Sequence, residues 1–175
     1  LAQSVLRLAE TARATGRAAE AANEVWALVA RLEARANEGH LERATFGVLG
    51  RAWISLGVCL GTVLPEERLW VATRWTGRGL MAARHLEGDE PFLSHALQMH
   101  GNELRKCGRV ADAVDVLREG VTAARHENER GSGLALLARA AANVGDRDLF
   151  HETSTAYRDL MELHGIAGQL CNSYA

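Results

Sequence analysis

Residues able to do chemistry are few in this chain, and their spacing argues against most reactions. Gly77-Arg-Gly79-Leu-Met-Ala82 matches the letters of the dinucleotide G-x-G-x-x-A pattern. That pattern holds a pyrophosphate only where a strand turns into a helix and exposes backbone N–H groups. No strand precedes Gly77, and the segment reads as helix, so close helix packing accounts for it. His151-Glu152 begins like a zinc-protease motif, but Thr155 stands where the second histidine would be. His95 and His100 are five apart and share no helical face well. His85 and His126 occupy matching places 41 residues apart, which suggests imidazoles meeting free carbonyls at helix ends. Cys59, Cys107 and Cys171 are an odd, scattered set without C-x-x-C; this speaks against a disulfide framework or structural zinc and for a reducing compartment. No Ser-His-Asp or Cys-His grouping is present. The expectation is a non-enzymatic protein with no cofactor and no metal.

The composition says what must position the remaining polar residues. The 175 residues include 30 alanines and only 2 prolines, and 47% are apolar. Alanine loses no side-chain entropy in a helix and proline breaks one, so a helical protein with a packed core is expected. Net charge is −2, which excludes a strongly basic nucleic-acid surface on this piece. The basic residues are 19 arginines and Lys106, a bias that points to a GC-rich genome. The uncharged run from Ala52 to Pro65 is shorter than the ~20 residues of a membrane span. No signal peptide is recognisable at the start. The chain begins with Leu and its last residues stop inside a helix-like pattern, as expected of a fragment of a longer protein. These features suggest a cytoplasmic location and no membrane partner.

Glycines punctuate the apolar periodicity. Thr15-Gly16-Arg-Ala-Ala-Glu-Ala21 resembles Cys107-Gly108-Arg-Val-Ala-Asp-Ala113, and Val144-Gly145 fits the same frame. Arg78-Gly-Leu-Met-Ala-Ala-Arg-His85 aligns with Glu119-Gly-Val-Thr-Ala-Ala-Arg-His126 at an offset of 41, as does Ala72 with Ala113. A glycine ends a helix by entering the left-handed region without a Cβ clash. The pattern predicts helices over 2–15, 17–37, 40–57, 65–86, 90–107, 109–128, 131–144 and 147–163, with a ninth from Ala167. Asp89 is a suitable N-cap ahead of Pro91. Residues 58–64 read as an apolar insertion after a helix ending at Gly57. Of the four tryptophans, most belong to the core, but Trp70 and Trp75 are five apart and cannot both face one narrow stripe.

Paired helices carrying small residues at fixed places resemble the tetratricopeptide repeat (TPR). The four repeats expected are 2–37, 40–86, 90–128 and 131–163, within one domain over 1–175, followed by a partial C-terminal helix. The third is clearest, with Leu97, His100-Gly101, Leu104, Gly108, Ala113, Leu117 and Gly120; Leu49-Gly50 takes the Leu-Gly place in the second. The resemblance implies an all-α, right-handed α-α superhelix of about four hairpins. It also implies that the first helix of each repeat lines a concave groove. Residues around the Leu-Gly pair then face the ligand: Arg51, Gln98, Asn102, Arg105, Arg139 and Asn143 are the candidate groove residues. Arg51, Asn102 and Arg139 would hold one place in three successive repeats. Arginine suits this role because its planar fork meets carboxylate or phosphate in two hydrogen bonds.

The style of the repeats is similar to that of TPR regions in actinobacterial transcriptional regulators. By that resemblance the chain is a ligand- or protein-binding domain, the sensor or interaction part of such a regulator. Its partner would be a peptide, a protein segment or an acidic small effector, and DNA would be reached only through a domain outside this fragment. The alternative is a protein–protein scaffold or a dimerisation module forming a homodimer, motivated by exposed tryptophan and the apolar 58–64 segment.

Overall fold

The structure is a computed structural model and describes residues 1–39, 42–86 and 88–164. The ninth helix expected from Ala167, and Cys171, lie outside the described residues. The described residues form eight α-helices: α1 (Ala2–Ala14), α2 (Ala18–Asn37), α3 (Arg43–Val63), α4 (Leu69–His85), α5 (Glu90–Lys106), α6 (Val110–Ala123), α7 (Glu127–Val144) and α8 (Arg147–His164). A short 3-10 turn, Glu66–Arg68, precedes α4, and no strand occurs among the described residues.

Each odd-numbered helix packs on the even-numbered helix that follows, and α1, α3, α5 and α7 also touch in succession. The result is a stack of four antiparallel hairpins with the odd helices in one layer. Three hairpin turns share one geometry. Gly16, Gly108 and Gly145 have φ of +83°, +84° and +79°. Just beyond them the amides of Arg17, Arg109 and Asp146 donate to Ala12 O, Leu104 O and Ala141 O at 2.8–3.0 Å. This six-residue closure satisfies carbonyls left free at a helix end. Asp89 caps α5, its carboxylate accepting from the Phe92 amide at 3.3 Å with Pro91 in the first turn.

The second hairpin differs from the sequence expectation. Helix α3 does not stop at Gly57; it runs to Val63 and absorbs most of the supposed 58–64 insertion. Gly57 lies mid-helix because α4 crosses there. A Cβ on Gly57 would stand 2.5 Å from Thr76 Cγ2 and 2.8 Å from Ala72 O. In the third hairpin Gly101 meets Leu117 and Ala113 in the same manner. Ala72 and Ala113 are the residues aligned by the 41-residue offset, so Leu56-Gly57, and not Leu49-Gly50, is the counterpart of His100-Gly101. The extra residues sit in the α3–α4 connection around the 3-10 turn. Four other boundaries also move: α3 starts at Arg43 rather than 40, α4 at Leu69 rather than 65 and α7 at Glu127 rather than 131, and α6 ends at Ala123, short of 128.

By length and hydropathy α3 could cross a membrane. In the fold it is the central helix, with α1, α2, α4 and α5 against it. Leu49, Ile54 and Leu56 are among the largest fully buried side chains, and Leu97 and Leu117 continue the core through α5 and α6. Such burial is worth roughly 1.5–3 kcal/mol per large aliphatic side chain.

Candidate functional site

The layer of odd-numbered helices brings the sequence-expected residues into two clusters rather than one row. The first lies where α1, α3 and α5 meet. There a cavity of about 290 Å³ has an apolar floor that includes Ile54, Val58 and Met99, with Arg7, Arg13 and Arg51 among its cationic lining. Arg51 donates to Asp89 Oδ2 at 2.6 Å, and its guanidinium lies 4.3 Å from the centre of the Phe92 ring. Arg13 pairs with Glu10 at 3.6 Å. His95 also lines this cavity and keeps an exposed edge; crowding by the lining atoms lowers its imidazole pKa below the ordinary histidine range, with Arg51 and Arg13 adding to the effect and Glu10 opposing it. Burial raises the Cys59 thiol above its usual value, which fits a small apolar residue and not a reactive thiolate.

The second cluster lies at the far end of α5. Arg105 donates through Nε and Nη2 to Asn102 Oδ1 at 3.3 and 3.0 Å, and through Nη1 to Asn143 Oδ1 at 3.3 Å. Burial and the neighbouring Arg139 lower the Arg105 pKa, while Glu103 opposes them. Asn102, Arg105, Arg139 and Asn143 are therefore together, as the sequence suggested. Because Asn102 and Asn143 use their oxygens on Arg105, their amide N–H groups stay available as donors.

Arg51 and Gln98 fall elsewhere. The register of α3 puts Val58, next to Gly57, in the row of Glu10, Asn102 and Arg139. Arg51 lies seven residues earlier, two helical turns or ~10 Å away, level with Phe92 and His95. It does not share one place with Asn102 and Arg139. Gln98 is only 3% exposed and does not reach the open groove. Its Nε2 donates to Ser94 Oγ at 3.1 Å and to Glu129 O at 2.9 Å. Gly120 and Gly133 leave the room for it: a Cβ on either would come within 3.3 Å of the Gln98 side chain. Gln98 thus ties α5 to the first turn of α7.

Three features were missed at the level of sequence. His95, Met99 and Asn102 follow one another at i, i+4 and i+7, a stride that marks His95 as a groove residue. Glu103 is fully buried, with Oε1 on Lys106 Nζ at 2.7 Å and no hydrogen-bond partner for Oε2. Burial raises its pKa, against the opposing charges of Lys106, Arg105 and Arg13. No sequence signal separates it from a surface glutamate. Between α2 and α4, the Arg78 guanidinium lies 4.2 Å from the Trp53 ring and 4.9 Å from the Trp75 ring. Glu33 Oε1 accepts from both Arg78 Nη2 at 2.7 Å and Trp53 Nε1 at 2.8 Å.

The histidines of the 41-residue pair diverge. His85 Nδ1 donates to Met81 O at 2.7 Å near the end of α4. His126 instead precedes α7 as its N-cap residue and does not close α6. Among the described residues, no group of three or more His, Cys, Asp and Glu side chains is placed to hold a metal ion.

No protein-family model matches the chain, and no curated protein matches it. Solved structures do. The nearly identical TPR-like repeats of a Podosopora anserina kinesin light chain protein align over 91% of this chain and 94% of theirs, at 18% identity and a TM-score of 0.49. A glutamine-to-methionine variant of those repeats aligns over 94% of this chain and 96% of its own, at 18% identity and a TM-score of 0.51. The likeness to the variant establishes the fold, an all-α TPR-like solenoid, and nothing finer.

Proposed function

We propose that this chain is a non-enzymatic interaction domain that holds an acidic peptide or protein segment, or an acidic small effector, along the face of its odd-numbered helices. The observation that carries this reading is the Arg105 site. Arg105 is partly buried beside Arg139, and its hydrogen bonds go to the amide oxygens of Asn102 and Asn143. An incoming carboxylate would accept from the Arg105 guanidinium and from the amide N–H groups of Asn102 and Asn143. The cavity at Arg51 and Phe92 would take an apolar side chain of the same ligand. Gln98 acts in this reading only by fixing α5 against α7.

The resemblance to TPR regions of actinobacterial transcriptional regulators, together with the arginine and alanine bias, supports placing the domain in a bacterial, cytoplasmic regulator. Ligand binding would then favour one curvature of the stacked hairpins over another. DNA would be read by a helix-turn-helix segment elsewhere in the same gene product, and inspection of the encoding gene for such a segment tests that part.

The groove itself is tested by titrating a Glu-rich peptide with a free C-terminal carboxylate against wild type, Asn102→Ala, Arg105→Ala and Arg51→Ala. Arg105→Ala is expected to weaken binding at least about tenfold, the worth of a charge-assisted pair. Arg51→Ala should have a smaller effect, since Arg51 is committed to Asp89. Equal affinity in Arg105→Ala and wild type would remove the groove from the account. The second reading, a dimerisation module, is favoured by the exposure of Trp70 and Met81, 52% and 62%.

A further inference from the structure

The outward face of α4 is unusual for a solvent-facing helix. Helix α4 carries Arg74, Arg78 and Arg84 and no carboxylate, whereas the turn before it supplies Glu66 and Glu67. At 100° per residue, Trp70, Arg74, Gly77, Arg78, Met81, Arg84 and His85 fall within a sector of about 120°. All of them are exposed except Gly77, which is partly so. Trp70 and Met81, two large apolar side chains, stand 52% and 62% exposed on this stripe. Tryptophan, arginine and methionine are the residues enriched at buried interfaces.

The order of these residues is self-complementary when reversed. Laid antiparallel on a second copy about an axis between positions 75 and 76, Trp70 meets Met81, Arg74 meets Gly77, Glu67 meets Arg84 and Glu66 meets His85. A two-fold contact requires this property, because each residue pair occurs twice. Two details make the match work. Gly77 adds no side chain beside the place that receives Arg74, its own Cβ position facing the His100 ring of α5 at 3.4 Å. Arg74 leans back over its own Trp70, with its guanidinium 5.7 Å from the ring centre, which carries the two Arg74 charges away from the axis. Arg78 and Arg84 already have partners, Glu33 and Glu119, each at 2.7 Å. Their charge is therefore partly offset before a second copy arrives.

We infer that this face binds a second copy of the chain through antiparallel packing of α4 on α4, with Trp70 seated on Met81 and Glu67 on Arg84. The contact rests on the dimerisation reading above, lies on the even-numbered helix of its hairpin and is independent of the groove. One helix pair makes a small interface, so a dissociation constant on the order of micromolar is expected.

The test is the mass of the whole 175-residue chain by sedimentation equilibrium over a wide concentration range, with circular dichroism to confirm that each variant is folded. Wild type should pass from 19.0 kDa towards twice that mass as concentration rises. Trp70→Ser should remain monomeric. In a Glu119→Gln background, which removes the partner that Arg84 has in its own chain, Glu67→Arg and Arg84→Glu should each weaken the dimer about tenfold or more by placing like charges together, and adding both changes together, Glu67→Arg/Arg84→Glu, should recover it. That recovery is an outcome a merely sticky surface would not give. A monomer at all concentrations would overturn the inference. So would a dimer that ignores Trp70→Ser, or failure of the double variant to recover association. A monomer that sediments with anionic phosphatidylserine vesicles in a Trp70-dependent way would overturn it in favour of a membrane-facing role.

Discussion

Replacing Gly57 by alanine isolates the contact that sets the register of the second hairpin. Alanine is the better helix former by ~1 kcal/mol in a helix interior, so with no neighbour the change would stabilise α3. The neighbour is close, however. A Cβ at position 57 would lie 2.5 Å from Thr76 Cγ2, 2.8 Å from Ala72 O and 2.9 Å from Thr76 N. Two of these atoms belong to the backbone of α4 and cannot rotate aside, so the helix must retreat as a body. Overpacking of that kind costs roughly 1–3 kcal/mol or more, and opening the seam loses dispersion contacts along it. Contacts this short on backbone atoms put the cost at the upper end of that range, so after the ~1 kcal/mol helix gain the expected net effect is a loss of ~2 kcal/mol. Gly77→Ala is the matched control: its Cβ would meet nothing nearer than His100 Cε1 at 3.4 Å, so it should gain ~0.5–1 kcal/mol. Urea unfolding would be followed by far-ultraviolet circular dichroism for the whole chain and by tryptophan fluorescence. All four tryptophans lie in α2, α3 and α4, so fluorescence reports this region alone. A lower midpoint for Gly57→Ala, led by fluorescence, is expected. A Gly57→Ala protein as stable as wild type would refute the packing argument and the register drawn from it.

Further outcomes follow from the buried polar groups. Burial lowers His100 to about 4, with Arg109 and Arg84 contributing, while Thr76 Oγ1 bonds its Nδ1 at 2.9 Å. Its folded pKa is below its unfolded value, so its contribution is present above about pH 6.5 and is lost as pH falls towards 4, on the order of 2 kcal/mol after allowance for its exposure; His100→Gln should flatten that part of the stability–pH curve. Glu103 has the opposite sign, because burial raises its pKa. Its folded form holds the proton longer, so stability declines as pH rises from its unfolded value to its folded one. Glu103→Gln should remove that decline and, by giving the orphaned position a group with no charge to desolvate, should be neutral or stabilising at neutral pH. Arg78→Ala should cost ~1–2 kcal/mol through loss of two ring contacts and the Glu33 pair, with a shift in tryptophan emission, and Arg78→Lys should restore only part of it because an ammonium lacks the planar stacking surface.

Much of the fold was legible because its turns depend on residues with few substitutes. Gly16, Gly108 and Gly145 each occupy the left-handed region, where other side chains are strained, and each separates two helix-period segments. The second hairpin was not legible. Leu49-Gly50 and Leu56-Gly57 are seven residues apart and so fall on one helical face. Both glycines are tightly packed: a Cβ on Gly50 would stand 2.9 Å from Ala82 Cβ. Only the partner, Ala72, distinguishes them, and a partner is a property of the tertiary structure. The same slip carried Arg51 two turns away from Asn102. The Asn102, Arg105, Arg139 and Asn143 group was recoverable because α5 and α7 each end at a glycine turn of one type, which fixes their alignment. Gln98 follows the groove stride in sequence, yet it turns inward because Gly120 and Gly133 leave it space. Absent side chains on other helices are not visible from Gln98's own neighbourhood. Trp70 and Trp75 separated as their spacing required, Trp75 packing edge-on against Trp26 with ring centres 5.5 Å apart while Trp70 stays half exposed; the expectation that most tryptophans are core fails, since Trp26 is as exposed as Trp70 and only Trp53 is buried.

Calorimetric titration of the Glu-rich peptide against wild type and Arg105→Ala, repeated at two salt concentrations, tests the functional claim most directly. Saturable one-to-one binding that weakens with salt and falls about tenfold or more in the variant is expected. Heat that is absent in wild type, or unchanged by Arg105→Ala, would contradict it.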